Sequence, residues 1–150
     1  LPNSKIIDPV LYDWQKYLLE KLKELKYEII YKSHPKGFFQ EINNLGNIAN
    51  NKTNKAMIES LRDVDIVILD FAGTVFVEAL CAGKDVIYID MKQRKYNDDN
   101  LDEFNSFVKV IPTYIKDGVF NLNEEELKEA INSPHKNIKK QEQIVHDYFL

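Results

Sequence analysis

The chain has 150 residues, 44% of them hydrophobic, 29% charged and 11% aromatic. This is a globular composition with enough apolar material for one domain with a core, and it excludes collagen-like, disordered and low-complexity classes. Twenty basic against twenty-four acidic residues give a net charge of −4, which argues against nucleic acid as a partner.

The elements follow in chain order. Asp8-Pro9 reads as an N-cap with proline in the first turn. Leu11, Trp14, Leu18, Leu22 and Leu25 then recur at spacings of three and four, which predicts an amphipathic helix over 9–26. Residues 28–32 carry Ile29, Ile30 and Tyr31 and predict a strand ending at Ser33-His34-Pro35. The Asn-rich stretch 43–54 reads as loop, with a short strand near Ile48, and 53–61 reads as a modest helix. Ile66-Val67-Ile68-Leu69 is continuously apolar between Asp65 and Asp70 and suits a strand buried on both faces of a parallel sheet. Residues 74–82 predict a short, nearly all-apolar helix ended by Gly83. Strands over 86–89 and 107–111 follow, the second stopped by Pro112. Asn123 with Glu126 makes a capping-box-like start for a helix to about Asn132. Pro134 breaks it, and Ile138, Gln141, Val145 and Tyr148 stripe a last helix.

Strands alternating with helices predict an α/β fold, a Rossmann-like parallel sheet flanked by helices. In such sheets ligands bind outside the carboxyl ends of the strands. Three segments are placed there: His34 to Gly37, Asp70 to Thr74, and Asp90 to Arg94.

His34 can donate a hydrogen bond to an anion, and Lys36 adds positive charge. Pro35 fixes that turn, which is otherwise a plain turn with a surface histidine. In Asp70-Phe71-Ala72-Gly73-Thr74, Ala72 and Gly73 leave room for a ligand against the backbone. The free N–H groups of the following helix favour an anion, and the Thr74 hydroxyl either touches phosphate or caps the helix. Glu78 lies one turn further on. It is either a partner for two vicinal ribose hydroxyls or a helix-surface glutamate. Lys92, Arg94 and Lys95 open a long polar segment, read as a solvated insertion rather than a loop over a ligand.

Cys81, the single cysteine, sits on the apolar helix and is expected in the core. It suits a reducing compartment, so a cytoplasmic location is expected. No apolar run reaches the roughly 20 residues of a membrane helix. His135 and His146 lack Cys or His partners at ligand spacing, so no metal is expected. Asn51-Lys52-Thr53 matches a glycosylation acceptor by chance. The opening Leu-Pro-Asn reads as the start of an excised or processed piece, with residues 1–150 forming one domain of a larger protein.

Two segments together resemble a known family. Tyr31-Lys32-Ser33-His34-Pro35-Lys36-Gly37 is similar to the Lys-x-His-Pro segment of GT-B glycosyltransferases that build bacterial surface polysaccharides, the sialyl-, Kdo- and polyol-phosphate-transferring enzymes. Residues 63–90, with Glu78-Ala79-Leu80-Cys81-Ala82-Gly83-Lys84 at their centre, resemble that family's donor-binding block. The resemblance implies the nucleotide-sugar-binding half of a two-domain transferase. Its donor would be of CMP, CDP or UDP type, and no cofactor or metal would be needed. His34, with Lys36, would contact the donor phosphate. Gly73 and Thr74 would hold phosphate at the helix N-terminus, and Glu78 would bind the ribose. Pro35, Asp70 and Ala72 would line the site. The glycan acceptor would sit on an upstream domain, and the full-length protein would associate peripherally with a membrane. Three features depart from the pattern. Gly73-Thr74 stands where many relatives have two serines, and Asp85 stands where proline is usual. The chain also opens on a helix rather than on the domain's first strand.

Asp70 to Val75 also resembles the first motif of haloacid-dehalogenase-type hydrolases, in which a strand-end aspartate attacks phosphorus with help from magnesium. That alternative leaves the His-Pro turn and the Glu78–Lys84 run unexplained. A phospho-receiver module would need further acids on a preceding strand end, which Asp70 lacks.

Overall fold

The computed structural model describes residues 8–32, 44–71, 73–92, 106, 108–133 and 146. The last expected helix, over Ile138 to Tyr148, falls outside them apart from His146. The fold is mixed α/β, with small parallel sheets flanked by helices. It divides into two compact units, Leu1–Ala56 and Met57–Leu150.

In the first unit, α1 (Asp8–Glu24) buries Trp14, Leu19 and Leu22. The helix packs on a 3₁₀ turn, Asn44–Asn47, whose Leu45 is fully buried. Burial follows the expected stripe at Trp14 and Leu22 and moves to Leu19 between them, leaving Leu11, Leu18 and Leu25 half-buried. The helix ends in a Schellman motif. Tyr27 N–H donates to Leu22 O at 3.3 Å and Lys26 N–H to Lys23 O at 2.9 Å, with Lys26 at φ 63.

Strand β1 (Ile30–Lys32) is shorter than expected and pairs in parallel with β2 (Asn51–Thr53), in register Tyr31 to Lys52. The short strand therefore lies three residues beyond Ile48, which sits in a turn. Its register is set from across the pair: Asn50 Oδ1 accepts from Ile29 N–H at 2.9 Å, and Asn51 N–H donates to Ile29 O at 3.0 Å. Thr53 belongs to this strand, so the helix expected over 53–61 is cut to α2 (Met57–Ser60), which runs into a 3₁₀ turn, Leu61–Asp63.

The second unit is built on three parallel strands in the order β3 (Ile66–Leu69), β4 (Asp85–Asp90), β5 (Lys109–Pro112). All six residues of central β4 are buried, as a near-continuous apolar run requires. In β3, which pairs on one side with β4, only Val67 is buried. α3 (Thr74–Cys81) connects β3 to β4. Register places Val67 beside Val86 and Leu69 beside Tyr88, and alternation puts these side chains on one sheet face. Phe76, Ala79 and Leu80 of α3 and Leu61 pack against Val67, Val86 and Val108 there.

The other face carries Ile87, Ile89 and Ile111, each at most 1% exposed. Lys109 shares that face and reaches α4 (Glu124–Asn132), where its ammonium donates to Ala130 O at 3.1 Å and also to Ser133 O. A lysine thus meets the carbonyl end of α4, where the helix dipole favours a cation. At the other end Asn123 Oδ1 accepts from Glu126 N–H at 3.1 Å, the cap read from the sequence.

Between β5 and α4 stands an antiparallel hairpin, β6 (Tyr114–Lys116) and β7 (Val119–Asn121), which the sequence reading missed. Its two-residue turn, Asp117-Gly118, has φ 53 and 76, the geometry of a type I′ turn.

Candidate functional site

The site begins where β3 ends. Asp70 and Phe71 follow the strand and are half-buried. Gly73 is the N-cap of α3 in extended backbone (φ −127, ψ −158), and Thr74 is the first helical residue. The first N–H groups of a helix have no partners within it, and here they open at the carboxyl end of a parallel strand. Phe76 N–H donates to Gly73 O at 3.0 Å, closing the first turn.

Gly73 has a φ that any residue can adopt, and what is tight there is space beside Phe71. A Cβ built on it would stand 3.1 Å from Cε1 and 3.2 Å from Cδ1 of Phe71. A side chain at residue 73 would therefore require the ring to shift by a few tenths of an ångström. Phe71 went unassigned in the sequence. Nothing in a linear motif tells that its ring folds back over residue 73.

Thr74 is exposed and Glu78 half-buried. With Cys81 they follow at i, i+4 and i+7, a single stripe turned away from the face that buries Phe76, Ala79 and Leu80. Cys81 is exposed, which corrects its expected place in the core. It belongs to the outer stripe by spacing, although its neighbours are apolar. The helix ends as the sequence predicts. Lys84 N–H donates to Ala79 O at 3.0 Å and Gly83 N–H to Leu80 O at 2.9 Å, with Gly83 at φ 64. Lys84 Nζ then donates to Val64 O at 2.8 Å, tying this corner to the chain entering β3.

Asp85 and Asp90, at the two ends of β4, are both buried. Asp90 is held by its own turn. Its Oδ1 accepts from Lys92 N–H at 2.8 Å, and its Oδ2 pairs with the Lys92 ammonium at 2.7 Å, with Lys92 at φ 55. The Lys92 side chain is 63% exposed, so the pair is open to solvent on one side. The sequence reads Lys92 as part of a polar insertion, whereas the structure closes it onto Asp90. Its signal was a carboxylate at a strand end with lysine two residues on.

His34, Pro35, Lys36 and Ala72 lie outside the described residues, as do Arg94 and Lys95. The structure thus joins Asp70, Gly73, Thr74 and Glu78 along one turn and helix. Among the described residues no group of three His, Cys, Asp or Glu side chains is placed to hold a metal ion. No described helix is long and apolar enough to cross a membrane.

Comparison with known proteins gives no significant match to a family model, a curated protein or a solved structure.

Proposed function

We propose that this chain is the nucleotide-sugar-binding half of a GT-B-type glycosyltransferase, one that moves a sugar or sugar-like group from a CMP-, CDP- or UDP-linked donor to a surface glycan. The observation that carries the proposal is the turn between β3 and α3. A parallel strand ends, a residue without a side chain follows, and a helix opens its N–H groups at the sheet's carboxyl edge. That is where a phosphate is stabilised in open α/β sheets.

In this proposal Gly73 and Thr74 hold donor phosphate, chiefly through backbone N–H groups. Glu78 stands four residues along the same helix stripe, about 6 Å further on at 1.5 Å per residue. Its two carboxylate oxygens accept from the two ribose hydroxyls. Asp70 and Ala72 line the approach. The part of His34, Pro35 and Lys36 at the donor phosphate rests on the resemblance of their segment alone. The acceptor belongs to another domain, and a cytoplasmic enzyme at a membrane surface is the setting.

The test is calorimetric titration of the chain with CMP, CDP, UDP and GDP, beside an assay for magnesium-dependent release of phosphate from an aryl phosphate. Saturable binding of at least one nucleotide, without hydrolysis, is expected. Phosphate release abolished by Asp70→Asn would instead support the hydrolase alternative.

A further inference from the structure

We draw no further inference here: the strongest candidate, the side of the β6–β7 hairpin on which Tyr114 (57%) and Val119 (61%) are exposed beside Lys116 and Asn121, is a mixed surface patch with nothing in the structure to say what covers it.

Discussion

The Phe71 ring lies against Gly73 so closely that a Cβ on residue 73 would meet its Cε1 at 3.1 Å. This contact fixes the entry to α3 by shape. The N-cap of α3 thus lies beside the Phe71 ring, just beyond the carboxyl end of β3.

Gly73→Ala forces the ring to move. The ring is half-buried and can give by a few tenths of an ångström, so urea unfolding is expected to show a loss under about 1 kcal/mol, below that of a closed core. In a Phe71→Ala background the same substitution meets open space, so its cost falls and the two changes couple. Equal cost in both backgrounds would mean that the ring does not govern residue 73.

Glu78→Gln separates two roles for the one charged residue of α3. If the carboxylate binds ribose, CDP or UDP affinity falls several-fold while inorganic pyrophosphate affinity is unchanged, because the amide offers one acceptor oxygen in place of two. Calorimetry with both ligands reads the difference. Equal loss for both would leave Glu78 as a residue of the helix surface.

The two Schellman motifs give opposite expectations for glycine. Lys26 at φ 63 and Gly83 at φ 64 hold the same position after their helices. A left-handed conformation costs an L-residue about 1–2 kcal/mol, partly offset by the greater freedom of glycine in the unfolded chain. Lys26→Gly is therefore expected to raise stability by about 0.5–1 kcal/mol, and Gly83→Ala to lower it by about 1 kcal/mol. Denaturant midpoints at constant slope measure both. A loss with Lys26→Gly would contradict the assignment.

The second unit was largely legible in the sequence, and the first much less so. Ile66 to Leu69 and Val86 to Ile89 are unbroken apolar runs, and Gly83 marks the helix end between them, so pattern and turn chemistry agree. Asn51-Lys52-Thr53 has no apolar pattern. It is a strand because β1 lies beside it and Asn50 fixes the register, and these are tertiary causes. The hairpin does have a sequence signal: Asp117-Gly118 between Tyr114-Ile115 and Val119-Phe120 is a strong turn pattern. The apolar composition of α3 points Cys81 to the core, but its spacing from Thr74 and Glu78 puts it on the outer stripe, where it is exposed. The placement of Gly73, Thr74 and Glu78 on one turn and helix could be read from a strand–turn–helix pattern. The fold-back of Phe71 and the closure of Lys92 onto Asp90 are side-chain geometry that no linear pattern carries.

The most direct measurement is nuclear magnetic resonance of the isotope-labelled chain during titration with CDP and UDP. The account predicts that the largest backbone amide shifts fall on Gly73, Thr74 and Val75, with a further change at Glu78, while Val119 and Phe120 of the hairpin stay still. Nucleotide binding that leaves the first turn of α3 unmoved, or no binding by CMP, CDP, UDP or GDP at all, would contradict it.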